Sequence, residues 1–466
     1  MGNGDLTGQM GDVKQEFRVL IRNKNFMRLF WGQLVSCTGD WLATFALMSL
    51  VWRTTGSYLA VGGMLAFRIV PALFSGPLAA FVTDRLDRKR LMIGCDISRG
   101  MIILAAPFIT HLWGVYVLVF FLEGLSIVWL AARDASVPNL VEPDQLTMAN
   151  SLAMMTTYGV IPLAAVLFSF VTIPSPFTRL FVNGGFLANH PTTIAFLLDS
   201  LSFFAAVTIY VRMRLSSPRD RIEADEEQAG FFESITFALR NPFARSLMLG
   251  AAVGCIGGGS LYAVGLGYVK QVLGARSDMA FGILMALFGI GIIAGMVALQ
   301  VLVKREEKPW MLRMALLTAG GIMISMSIIQ WLPLVYLLAA FFGAAFGILF
   351  LVAITMVQER IDDRDRGKAF AAFHAVSRIF LVVGAGLSSA IATLVGTKTI
   401  HVAGLTYVVH GVSIALLVSG VLIAAVSVVP LGEKKARYRE YFTREKRGAA
   451  EQVDLPATRG AKVTPK

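Results

Sequence analysis

Several ionisable residues stand inside stretches otherwise almost free of charge: Asp40, Arg68, Asp96, Arg99, Glu123, Asp199, His374 and Arg378. A carboxylate among apolar neighbours suits one of two tasks, a fixed ion pair or reversible protonation when its partner withdraws. Asp40 lies some fourteen residues into its hydrophobic stretch and Arg68 some eleven into the next, so the two are expected to meet as a buried pair. Asp40 is then the first candidate for exchanging a proton, and Arg68 its charge partner; a permanent salt bridge is the alternative. Glu123, beside Gly124 in mid-stretch, is the second proton-coupling candidate. Asp96 and Arg99 are three residues apart, and His374 and Arg378 four apart, so each pair shares a helix face. The first reads as packing. His374 has the side chain suited to proton exchange near neutral pH, although a lone His here equally reads as a packing residue.

The elements that carry these groups are membrane helices. Hydrophobic residues make up 56% of the 466-residue chain and charged ones 15%, against about 25% charged in soluble domains. A bilayer helix takes roughly 20 mostly apolar residues. Twelve stretches qualify, near 27–52, 58–82, 91–110, 112–132, 146–173, 191–211, 243–269, 277–303, 309–329, 333–357, 369–395 and 401–430. The chain reads as an all-α polytopic membrane protein, and each intramembrane charge costs about 2.5–3.5 kcal/mol at a helix centre. Such charges must face protein or water.

Orientation follows from Lys and Arg. The turn Asp84 to Arg90, the N-terminal arm, the loops at 212–245, 304–308 and 360–368 and the C-terminal tail fall on one side; Arg53, Arg179, Lys270, Arg276 and Lys398 fall on the other. The positive-inside rule places both termini in the cytoplasm. The net charge of +12 is thus a topology signal and does not indicate nucleic-acid binding. The basic ends suit anionic lipid. Cys37, Cys95 and Cys255 sit inside apolar stretches with no ligand spacing, so no metal or disulfide framework is expected. Neither a phosphate loop nor a hydrolase or HExxH motif occurs, so the expectation is gradient-driven transport without cofactor and not an enzyme.

Sliding the second half on the first at an offset of 219 places Gly63 on Gly282, Gly76 on Gly295, Arg85 on Lys304, Asp87 on Glu306 and Lys89 on Lys308. The expected organisation is an arm (1–25), a six-helix bundle (26–211), a central loop (212–242), a second bundle (243–430) and a basic tail (431–466), with substrate bound between the bundles.

AFVTDRLDRKRLM between the second and third stretches resembles the signature loop of the major facilitator superfamily, with Ala80 and Asp87 where glycines are usual. PALFSGPLAA, DISRG, NFMRLFWGQLVSCTGDWL, RDASVPNLVEPDQLTMANSL, FLLDSLSFF and DDRDRGKAF extend the likeness, which is strongest to the macrolide-efflux and enterobactin-export branch. The resemblance implies twelve helices in two six-helix bundles and a gate in which Asp84 nears Gly367 and Lys368 while Arg85 and Arg88 approach the end of the fourth helix, Arg88 pairing with Asp134. It also implies a peripheral, structural Asp199. YGVIPLAAV keeps Gly159 and Pro162 of the antiporter motif in the fifth helix but not its other glycines. Trp41, Phe67, Phe74 and Trp129 are possible cavity residues. The implied activity is proton-coupled export of small apolar or amphipathic molecules by a monomer in the cell membrane. Export or uniport of one endogenous solute, such as a siderophore or lipid, and a non-transporting scaffold or receptor are the alternatives.

Overall fold

The computed structural model describes residues 18–68, 70–73, 87–142, 159–172, 192–214, 239–275, 277–302, 308–361, 363–402 and 405–428, with isolated positions between 145 and 157 and Thr236. The 32-residue α1 (Lys24–Thr55) starts where the Asn23 side chain accepts from the N–H groups of Asn25 and Phe26, and ends at Gly56, whose φ of 60° is left-handed. At about 1.5 Å per residue it is near 48 Å long, more than a hydrocarbon core requires. Helix α2 (Tyr58–Phe67) is capped by Ser57 and breaks at Arg68 before a single turn at Val70–Leu73. Pro71 contributes to the break, because it has no N–H to give the Phe67 carbonyl. Helix α3 (Arg88–Ile103) begins on Asp87, whose carboxylate accepts from the Arg90 N–H. The acid that departs from the family signature is therefore a helix cap.

The chain continues through α4 (Leu112–Ser136), α5 (Ile161–Thr172), α6 (Thr193–Val211) and α7 (Pro242–Gly267), which a π-helical turn at Tyr268–Val272 prolongs. Then come α8 (Met279–Leu302), α9 (Lys308–Ile328), α10 (Leu332–Arg360), α11 (Asp363–Val395) and α12 (Gly411–Val426). Among the described residues nine helices are long and apolar enough to cross a membrane, and α2, α5 and α12 are shorter apolar helices, which makes twelve. One expectation fails. The stretch from 401 does not begin the last helix: Thr397–Val402 and Leu405–His410 form an antiparallel hairpin, with Thr397 opposite His410, and α12 starts at Gly411. TKTIHV and LTYVVH are rich in β-branched residues, which suit a strand, and a mean over twenty residues conceals them.

In the first half α1 packs on α6, and α3 on α4 and α6; in the second, α8 packs on α10, α7 on α11 and α9 on α12. Across the halves α5 lies against α8 and α2 against α11. Exchanging helix n for helix n+6 turns each of these contacts into the other, as an internal duplication requires. Both are close. A Cβ at Gly62 would fall 2.3 Å from Ser389 Oγ, and one at Gly282 would fall 2.2 Å from Ser169 Oγ. Pro162 packs directly on Gly289, so α5 approaches α8 although most of its motif glycines are replaced.

A mid-membrane charge layer and an end clamp

Asp40 lies halfway along α1, and the charges around it form a layer inside the first half. Arg99 of α3 is its hub. One guanidinium nitrogen reaches Asp40 Oδ2 at 3.3 Å and Ser126 Oγ of α4 at 3.1 Å, while the other pairs with Asp96. Phe203 of α6 lies 4.4 Å from the guanidinium carbon and Trp129 5.6 Å, which places the cation against aromatic faces. Arg68 makes a second pair: Nε donates to Glu123 Oε2 at 2.9 Å and an Nη to Thr44 Oγ1 at 2.7 Å.

The expected Asp40–Arg68 ion pair is thus not formed. Each group has a different partner, because the break in α2 turns Arg68 toward α4 and leaves Asp40 to α3. Asp96 and Arg99 do pair, and the same guanidinium also reaches Asp40 and Ser126. Asp40 and Arg68 keep about a third of their side-chain surface exposed (32% and 33%), whereas Arg99 keeps 3%. Thr44 and Ser126 were not singled out from sequence, since hydroxyls are common on membrane helices. Thr44 lies one turn beyond Asp40, which was the available signal.

A stripe along α1 at four-residue spacing meets the second half. Trp41 stacks on Tyr262 at 5.9 Å, Phe45 meets Tyr262 and Phe281, Ser49 donates to Asp278, and Arg53 reaches Asp278 Oδ2 at 3.3 Å. Lys270, on the π turn after α7, lies 2.5 Å from Asp278 Oδ1, and Tyr58 Oη donates to Gln271 at 2.6 Å. The Asp278 side chain is 1% exposed. Burial works against its charge, but Lys270, the Ser49 hydroxyl and Arg53 outweigh burial and hold the carboxyl below its ordinary value. This clamp joins the halves at the end where α1 finishes. Sequence reasoning passed over it, since an acid between Lys270, Arg276 and Ser277 reads as part of a solvated loop.

The remaining candidates lie apart from the layer. Asp84, Arg85 and Phe74 fall outside the described residues. Arg88 is buried, and the ion pair found at Asp134 is with Arg133, at 3.1 Å. Helix α11 starts at Asp363, so Gly367 and Lys368 lie inside its first turns and not at its end. His374 packs beside the contacting rings of Phe350 and Phe373, while Arg378 is exposed. Phe67 stacks on Tyr116. No cluster among the described residues could hold a metal ion.

The chain is 24% identical over 452 residues to "Uncharacterized MFS-type transporter YfiS" of Bacillus subtilis, covering 92% of this chain and 99% of that one. It is 26% identical to "Putative bacilysin exporter BacE" of the same organism over 57% of this chain and 63% of that one. Its fold is similar to that of a bacterial homologue of the human lysosomal transporter Spinster, crystallised in an inward-facing, unoccupied conformation, with a TM-score of 0.66, 13% identity and coverage of 90% and 96%. The Major Facilitator Superfamily profile matches residues 29–379 and again 260–452. A duplicated twelve-helix architecture and that match lead to one conclusion: this multi-pass membrane protein belongs to the Major Facilitator Superfamily, a family of transporters of small molecules and not of enzymes.

Proposed function

We propose that the protein exports small apolar or amphipathic molecules across the cell membrane in exchange for protons, with both termini in the cytoplasm and the Asp278 clamp at the outer end. The observation that carries this reading is the charge layer. Half-exposed Asp40 and Arg68 sit in mid-membrane one residue and one helix from the aromatic seam of Trp41, Phe45 and Tyr262. Ions placed so deep are costly unless they work. An apolar cargo bound on the seam would perturb the pairs of Asp40 with Arg99 and of Arg68 with Glu123, and so link its passage to proton exchange at either acid. Export is supported by the likeness to BacE, which is named as a putative exporter, and by the macrolide-efflux resemblance of the helix-1 and signature-loop motifs. The test is uptake into inverted liposomes under an imposed pH gradient, with a panel of amphipathic antibiotics and peptides. Gradient-dependent uptake that falls at least tenfold in Asp40→Asn or Glu123→Gln is expected; gradient-insensitive movement of every compound refutes proton coupling.

A further inference from the structure

The first half holds four carboxyls in its described mid-membrane region, Asp40, Asp96, Glu123 and Asp199, against two guanidinium groups, Arg68 and Arg99. Both cations are committed. Arg68 serves Glu123 and Arg99 serves Asp40 and Asp96, which leaves Asp199 of α6 with no ion pair among the described residues. It is 1% exposed. The backbone of α1 closes over it, since a Cβ on Gly39 would fall 2.4 Å from its Oδ1. The groups facing it are Asp40 from α1 and Asp96 and Arg99 from α3, with Arg68 acting from farther away; described α5 contributes no charge.

Its one hydrogen-bonding neighbour is informative. Ser202 Oγ donates to the Asp199 backbone carbonyl at 2.7 Å and lies 3.5 Å from Asp199 Oδ1. A hydroxyl has a single proton to donate, and the carbonyl takes the shorter of its two contacts, leaving Oδ1 the long one. One long hydrogen bond is little compensation for a buried carboxylate without a cation, so the site favours a carboxyl carrying its own proton.

We propose that Asp199 is the proton-carrying carboxyl of the first half, standing behind Asp40 and exchanging with the cavity through it. This rests on the proton-coupled reading and deepens it: Asp40 is the half-exposed, ion-paired port, and Asp199 is the sealed store. The proton leaves Asp199 when Arg99 releases Asp40 and turns toward the newly ionised carboxylate, so that the charge transferred has a partner at each stage.

The test needs no cargo. Infrared spectra of the full chain in lipid nanodiscs near neutral pH should contain a deuterium-sensitive carbonyl band of a protonated carboxyl. That band is expected to disappear in Asp199→Asn, to persist in Asp40→Asn, and to shift in Ser202→Ala, which removes the nearest polar atom without touching the acid. No such band in the wild type, a band unchanged in Asp199→Asn, or one lost in Asp40→Asn overturns the proposal. Should Asp199→Asn fail to fold, an unshifted band in Ser202→Ala overturns it alone. Loss of the band together with gradient-insensitive transport would sink the coupling reading and leave the assignment of the proton standing, so the two failures are separable.

Discussion

Replacing Asp278 by Asn removes one charge and weakens its two contacts between the halves, those with Ser49 and Arg53, so its effect should appear in the balance between access states. The largest share comes from the Ser49 hydroxyl, which donates to the buried carboxylate across the halves, while Lys270 stands in the same half as Asp278; a hydrogen bond to a charged group contributes about 1.5–3 kcal/mol. Arg53 is 41% exposed and adds less than about 1 kcal/mol, as surface pairs do. With about 1.4 kcal/mol for each factor of ten, the population open at the clamp end should rise between roughly tenfold and a hundredfold. Spin labels at Thr55→Cys and Ala275→Cys, with the three native cysteines replaced, report the separation of α1 from the α7–α8 connection. The expected result is a new, longer distance in Asp278→Asn and, to a smaller extent, in Ser49→Ala. An unchanged distance distribution would refute the clamp. The pH dependence has a definite sign. The folded-state value of Asp278 lies below the ordinary carboxylate value of about 3.9, so its contribution is present above that value and is lost as pH falls through the lower one. The wild-type distance should therefore not change between about pH 8 and pH 5.

Arg99→Ala should be the most destabilising single change in the charge layer. It leaves Asp40 and Asp96 without their cation, and losing one partner of a buried pair costs about 3–5 kcal/mol; thermal unfolding in detergent should fall accordingly, with Arg99→Lys intermediate because an ammonium cannot span both acids and Ser126. Glu123→Gln leaves Arg68 with Thr44 alone and is expected to cost about 1–3 kcal/mol by the same assay. Gly282→Ala drives a methyl into Ser169 and the Ala165 carbonyl, at a cost of about 1–3 kcal/mol; adding Ser169→Ala should recover part of it.

The number of membrane helices, their duplication and the candidate mid-membrane charges could all be read from sequence, because bilayer solvation imposes a long apolar run on every span. Pairing could not. Whether Asp40 meets Arg68 or Arg99 depends on the break to which Pro71 contributes in α2 and on how far α3 rises beside α1, and both are matters of three-dimensional packing. The clamp was hidden for a related reason: Asp278 becomes buried only once the π turn at Tyr268–Val272 brings Lys270 round to it and α1 supplies Ser49. The hairpin at 397–410 was hidden by averaging, since a window of twenty residues merges LTYVVH with the apolar run from Gly411 that follows it.

The clamp and the charge layer are carried by one rigid element. Asp40 and Ser49 are nine residues apart on the unbroken α1, about 13 Å along the axis and, at 100° per residue, on opposite sides of it. Asp40 accordingly faces Arg99 in its own half, while Ser49 faces Asp278 in the other. Where α1 swings away from Asp278 relative to α3, it also moves Asp40 against Arg99, because its own hydrogen bonds keep the two faces in register. Opening at the clamp end should then alter the Asp40–Arg99 pair even in a variant whose layer is intact. Infrared difference spectra between Asp278→Asn and the wild type, in the carboxyl region and without any cargo, test this directly. A shift in the Asp40 signal, identified by its absence from the Asp40→Asn, Asp278→Asn double variant, is the expected outcome. Identical carboxyl regions, in a sample whose spin labels report opening, would mean that the first half moves as one body or that α1 bends between the two sites, and that clamp and layer act independently.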